Sequence, residues 1–102
     1  MEIKCKIDKS KIYIYFNGEI DENSASYARV QIDNVLENSS KFSMAIFDFA
    51  NTSFMDSTGI GMLLGRYKKL KKRGIQSYVS NPSFAVNKVL QISGIYDIMP
   101  KI

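Results

Sequence analysis

"SMAIFDFANTSFMDSTGIGMLLGRYKKLKKRG", residues 43–74, carries a strand, a loop and a helix in succession. Ser43 to Phe49 is short, mostly apolar and flanked by polar segments, the pattern of a central buried strand. The loop Ala50 to Met55 then delivers the chain to Asp56. From Ser57 the apolar positions Ile60, Leu63, Leu64, Tyr67 and Leu70 recur on one helical face, with Lys68, Lys69, Lys71 and Lys72 mainly on the other. Gly74 is a natural stop. Ser57 and Thr58 stand where the loop meets the helix N-terminus, where backbone N–H groups and the helix dipole stabilise an anion. Two readings of Ser57 are open locally: Asp56 caps the helix and Ser57 fills its first turn, or Ser57 is a place where charge is added and removed.

Outward from this unit the pattern alternates. Residues 3–7 and 11–16 alternate or are β-branched and aromatic, and Asp8-Lys9-Ser10 between them has turn chemistry, so a hairpin is expected. Gly18 ends the second strand. Asp21 or Asn23 can cap a helix whose Ala25, Ala28, Ile32, Val35 and Leu36 recur at helical spacing to about Asn38. Beyond Gly74, residues 75–79 read as a strand, Asn81-Pro82 opens a third helix with Pro82 near its first turn, and Gly94 ends it. A last short strand, Ile95 to Met99, is expected. This order predicts an α/β fold with a mostly parallel, mixed sheet of about five strands and about three helices, as one domain over residues 1–102.

Composition narrows the function. At 102 residues the chain suffices for one core and not two, and 45% hydrophobic with 24% charged residues is ordinary globular composition. There is no histidine, which removes the usual general base near neutral pH and the usual metal ligand, and with them any Ser-His-Asp site. Cys5 is the only cysteine, so neither an internal disulfide nor a thiolate zinc cluster can form. No catalytic residue, metal site or cofactor is expected. The N-terminus lacks the apolar run of a signal peptide, and no apolar stretch approaches the roughly 18–20 residues that span a bilayer. A cytoplasmic protein without a membrane partner is expected. On that expectation Asn38-Ser39-Ser40 and Asn51-Thr52-Ser53, which match the N-glycosylation pattern, stay unmodified.

The glycines do not make a nucleotide site. A dinucleotide fingerprint beginning at Gly59-Ile60-Gly61 needs a third glycine where Leu64 stands, and no phosphate loop of the Gly-Lys-Ser/Thr type occurs. Gly61 and Gly65 are expected to let the helix approach a neighbour closely. The net charge of +4 comes largely from Lys68 to Arg73, where cations oppose the negative end of the helix dipole, and no direct nucleic-acid binding is expected.

"SFMDSTGIGMLLGRYKKLK" closely resembles the signature of the anti-sigma factor antagonists of the STAS family, of the sporulation and stress types. "FNGEID" at 16–21 looks like the family's turn after its second strand, "FDF" like the end of its central strand, and "NPSFAVNKVLQISGIYDI" like its third helix and last strand. The resemblance implies that Ser57 is phosphorylated, and that Asp21, Asp56, Thr58, Gly59 and Gly61 form the surrounding partner surface. It places Arg66 at the edge of that surface or in a structural salt bridge. It also implies that the unphosphorylated chain binds a partner that is both anti-sigma factor and serine kinase, releasing a sigma factor, and that a serine phosphatase closes the cycle. The domain is then the substrate of the chemistry and not an enzyme. Many family members continue into a C-terminal helix, whereas this sequence stops at Ile102, so a STAS fold without that helix is expected. The alternative reading is a ligand-sensing or scaffold STAS domain that binds a nucleotide or sister subunits.

Overall fold

The computed structural model describes residues 1–39 and 41–102, so Ser40, the third residue of one glycosylation pattern, lies outside it. The elements run β1 (Glu2–Asp8), β2 (Lys11–Ile20), α1 (Ala25–Asn38), β3 (Met44–Asp48), β4 (Thr52–Met55), α2 (Ser57–Lys72), β5 (Gln76–Ser80) and α3 (Phe84–Ser93). β1 and β2 form the expected antiparallel hairpin, turned at Lys9 with φ 58°. β2 pairs in parallel with β3, and β3 with β5, giving the order β1-β2-β3-β5. The mixed, mostly parallel sheet follows from the crossover helices, which return each strand to the same direction.

The central strands have the composition their positions require. Ala45, Ile46 and Phe47 of β3 are all buried, whereas β2 alternates: Ile12, Ile14 and Phe16 are buried and Tyr13 and Tyr15 half-buried. Phe16 stacks on Phe47 and Phe49 at centroid distances of 6.1 and 5.0 Å, joining strands to the loop that precedes the site.

Four expectations change. Ala50 to Met55 is not all loop, because Thr52–Met55 forms β4 beside the end of β2, pairing Gly18 with Thr52 and Ile20 with Met55. The Thr52 hydroxyl donates to the Phe16 carbonyl at 2.9 Å and pins the start of this strand. The last strand is not formed over Ile95–Met99. Gly94 adopts φ 79°, and the N–H groups of Asp97, Ile98 and Met99 bond locally to the carbonyls of Gly94 and Ile95, making one 3-10 turn over Ile95–Asp97. Only beyond it does Lys101 bridge to Val79 at the sheet edge. α3 opens later than Asn81-Pro82, at Phe84, since Ser83 is the cap and accepts the Val86 N–H at 3.2 Å. Neither Asp21 nor Asn23 is the N-cap of α1; Ser24 holds that position, and Asp21 shapes the turn ahead of it.

The buried stripe of α2 is also rotated from the expected one. Gly59, Met62, Leu63, Arg66 and Leu70 are buried, while Ile60, Leu64 and Tyr67 are partly exposed. Gly61 and Gly65 are not points of close approach, for a Cβ on either meets nothing within 4 Å. The close approach is at Gly59, where a Cβ falls 2.8 Å from Met55 Cγ and 2.9 Å from Ile20 Cγ2. Gly59→Ala is therefore expected to destabilise the fold by about 1–3 kcal/mol, whereas Gly61→Ala should stabilise it by up to about 1 kcal/mol. Urea denaturation of the two variants checks both; equal stabilities would contradict the packing at Gly59.

Candidate functional site

Pairing of β2 with β4 builds the site. The Asp56 N–H donates to the Ile20 carbonyl at 3.2 Å, so the first residue after β4 is bonded to the last residue of β2. Asp21, next along the chain, and Asp56 consequently stand at adjacent strand ends. The Asp21 turn is held from inside. Its Oδ1 accepts the N–H groups of Asn23 and Ser24, both at 3.0 Å, and the Ser24 hydroxyl donates to the Glu19 carbonyl at 2.7 Å.

Asp56 is the cap of α2. Its Oδ1 accepts the N–H groups of Thr58 at 2.9 Å and Gly59 at 3.3 Å. Ser57 is the first helical residue and is exposed, as is Thr58. The aspartate thus takes the capping role and leaves the Ser57 hydroxyl out of the cap, facing solvent at the positive end of a 16-residue helix. Phe54 beside it is 48% exposed, while Met55 is buried under the helix. Gly61 is exposed one turn further on.

Two residues expected at the partner surface lie inside the fold. Gly59 is buried against Met55 and Ile20, so its contribution is to let α2 begin close to β2 and β4. Arg66 is the structural salt bridge: its Nε lies 3.0 Å from Asp33 Oδ1, its Nη1 donates to the Met62 carbonyl at 3.3 Å, and it is 5% exposed. Burial lowers the Arg66 pKa from its ordinary value; Asp33 opposes that shift and Arg29 adds to it. Lys69 binds the other Asp33 oxygen at 2.9 Å, so one α1 carboxylate holds two α2 cations. The signal for this was Arg66 falling within the stripe Met62, Leu63, Leu70, a place for a cation only with a partner.

Sequence reasoning also missed Asp48. This buried carboxylate at the end of β3 accepts the Ala50 N–H at 2.9 Å, the Ser80 hydroxyl at 2.9 Å and the Asn81 amide at 2.8 Å, tying β3 to the end of β5. The basic run is partly consumed by the fold, since Arg73 donates to the Leu36 carbonyl at 3.1 Å and lies over the Phe42 ring. Among the described residues no three His, Cys, Asp or Glu side chains come together to hold a metal, and no helix is long and apolar enough to cross a membrane.

A mixed sheet with this helix order, and an exposed serine just after the Asp56 cap of α2, are the features of a STAS-type domain. The STAS domain family model matches residues 2–102, and the chain belongs to that family. Among curated proteins it is similar to an anti-sigma F factor antagonist of Paenibacillus polymyxa, 28% identical over 98% of this chain and 85% of the relative. It is likewise similar to an anti-sigma-B factor antagonist of Bacillus subtilis, 29% identical over 97% of this chain and 88% of that one. Its fold matches the anti-sigma factor antagonist SpoIIAA in the unphosphorylated form, with TM-score 0.80, 28% identity, and coverage of 99% of this chain and 88% of that one. The phosphorylated form of SpoIIAA from Bacillus matches with TM-score 0.71 at 27% identity, covering 99% and 91%.

Proposed function

We propose that this chain is an anti-sigma factor antagonist whose unphosphorylated form binds an anti-sigma factor that is also a serine kinase, and that phosphorylation of Ser57 ends the binding. The observation that carries the reading is the exposed Ser57 hydroxyl at the N-terminus of α2, left free because Asp56 caps the helix. A kinase can reach it, and the phosphate then sits where the helix dipole and backbone N–H groups favour an anion. That SpoIIAA, which shares this fold, has been solved in an unphosphorylated and a phosphorylated form supports a phosphorylation switch.

The partner surface comprises Ser57, Asp56, Thr58, Gly61 and the Asp21 turn, with Phe54 as an apolar neighbour. Phosphoserine adds about 1.5 to 2 negative charges beside Asp56 and Asp21, so the patch changes from mildly to strongly acidic without a change of backbone. The kinase supplies the base and the nucleotide site, and a serine phosphatase restores the hydroxyl. The domain acts in the cytoplasm as a substrate and binding partner, not as a catalyst.

Displacement tests this reading. A fluorescent sigma factor is bound to the host's candidate anti-sigma factor, and the unphosphorylated chain is added. Anisotropy should fall to the value of free sigma factor, and Ser57→Ala should release it equally. A complex that survives excess chain contradicts the reading. Gly61→Arg, bulky on a helix surface with room around it, should weaken release without lowering the urea midpoint.

A further inference from the structure

One face of the sheet carries no helix. Residues paired across neighbouring strands point to the same side, so the registers place Ile12 and Ile14 of β2, Ala45 and Phe47 of β3, and Val79 of β5 on one face. These residues share the main core with Ala28 and Ile32 of α1 and with Leu63 and Leu70 of α2. α3 lies instead against β4, α2 and the 3-10 turn. The opposite face of β1, β2, β3 and β5 is therefore left open among the described residues.

That face interleaves tyrosines with lysines. One row across it runs Lys6, Tyr13, Ile46, Tyr78, the next Lys4, Tyr15, Asp48, Ser80, and Lys11 stands beside Met44 on the other flank. Tyr13, Tyr15 and Tyr78 are half-buried, and the three lysines are exposed. Ile46 is 1% exposed yet lies outside the main core cluster, so its own row shields it. The Tyr13 and Tyr15 rings are parallel to within 10° at a centroid distance of 6.3 Å, and thus present their faces in one direction. The carboxylates of this face do not interrupt the Tyr–Lys centre. Glu2 and Asp8 stand at the two ends of β1, with Glu2 accepting from Asn17 at 3.1 Å, and Asp48 is buried and occupied by its three donors.

We infer that this open face binds single-stranded nucleic acid, with bases stacking on Tyr13, Tyr15 and Tyr78 and phosphates meeting Lys4, Lys6 and Lys11. A single strand offers a π-face and a negative charge at every nucleotide, which aromatic rings interleaved with cations match, and a four-stranded sheet has room to stack two or three bases. Size argues against a second copy of the chain as the occupant. Four strands about 4.8 Å apart and five residues of about 3.3 Å each give about 300 Å², well short of the roughly 800 Å² that each partner contributes to a stable dimer. The basic run of α2, from which no nucleic-acid binding is expected, lies across the sheet and takes no part.

Anisotropy of fluorescent uridine and deoxythymidine octamers, titrated with the full chain in about 50 mM salt, tests the inference; dissociation constants of about 10–100 µM are expected. The tighter of the two octamers says whether RNA or DNA is the ligand. Tyr13→Ala and Tyr15→Ala should each weaken binding by about five- to hundredfold, whereas Tyr13→Phe, which keeps the ring, should stay within about twofold of wild type. Lys4→Gln combined with Lys6→Gln should flatten the slope of log affinity against log salt by about 1.4. A duplex of the same length, whose base faces are hidden, should bind at least about fivefold more weakly. On the 15N-labelled wild-type chain the octamer should shift amides centred on Lys4, Tyr13, Ile46 and Tyr78, a readout that needs no variant to fold. No saturable anisotropy change, duplex binding as tight as single-strand binding, or shifts centred on α2 would each overturn the inference. So would a dimer in sedimentation that Tyr13→Ala dissolves, which would assign the face to a second copy.

Discussion

Phosphorylated and unphosphorylated chain should differ in affinity for the anti-sigma factor by between about tenfold and about fifty-thousandfold. Two negative charges facing one partner carboxylate roughly 5 Å away repel by about 1.7 kcal/mol in water and about 6.6 kcal/mol at an effective dielectric constant of 20. Each 1.4 kcal/mol or so is a factor of about ten. The spread reflects how far the interface excludes water. Ser57→Asp, with one added charge, should fall between the two forms, and Ser57→Ala should bind like the unphosphorylated chain. Calorimetric titration of all four measures this. Because the term is electrostatic, the gap should narrow as salt shortens the screening length from about 10 Å at 0.1 M to about 3 Å at 1 M. Equal affinities, or a gap indifferent to salt, would sink the electrostatic account.

The second large effect is on stability. Arg66→Ala is expected to destabilise the fold by about 3–5 kcal/mol, because it leaves Asp33 short of a buried counter-charge and opens a gap between α1 and α2. With a urea m-value of about 1–3 kcal/mol/M, the midpoint should fall by more than about 1 M. Lys69→Ala, removing the exposed member of the same group, should cost less than about 1 kcal/mol. The combination Asp33→Leu with Arg66→Met should recover most of the loss, since it removes both buried charges and keeps apolar volume. A loss below about 1 kcal/mol in Arg66→Ala would show that the pair is not buried in solution. The contrast with Ser57 is useful, because a Ser57 variant changes binding without touching the core.

What the sequence shows and hides has a physical pattern. Elements whose reason for existing lies within their own residues were legible: the apolar run of β3, the hairpin through Asp8-Lys9-Ser10, and α2 with its stop at Gly74. Features that depend on a remote partner were not. β4 is four residues long and is a strand only because the end of β2 offers it hydrogen bonds. Arg66 stayed open between the surface edge and a structural salt bridge because Asp33 is far away in sequence, and Asp48 gave no sign of its three donors. The expected strand after Gly94 failed for a local reason: the Ser93 hydroxyl accepts the Ile95 N–H at 3.3 Å and the following N–H groups close a 3-10 turn, capturing the backbone before it reaches the sheet. At the site, the motif singled out Asp56 and Ser57 and the "FNGEID" turn Asp21, while the bond from the Asp56 N–H to the Ile20 carbonyl, which sets the two aspartates at adjacent strand ends, had no local sign. That Gly59 serves packing while Gly61 does not required the Cβ geometry.

The proposed switch turns on where a kinase places its phosphate. The chain and its Ser57→Ala variant should be incubated with the host's candidate anti-sigma kinase and ATP, and then analysed by intact-mass spectrometry with peptide mapping. One phosphate on Ser57, absent from the variant, is the predicted result. A phosphate mapped to Thr58 or elsewhere, or none from a kinase shown to be active, would contradict Ser57 as the switch.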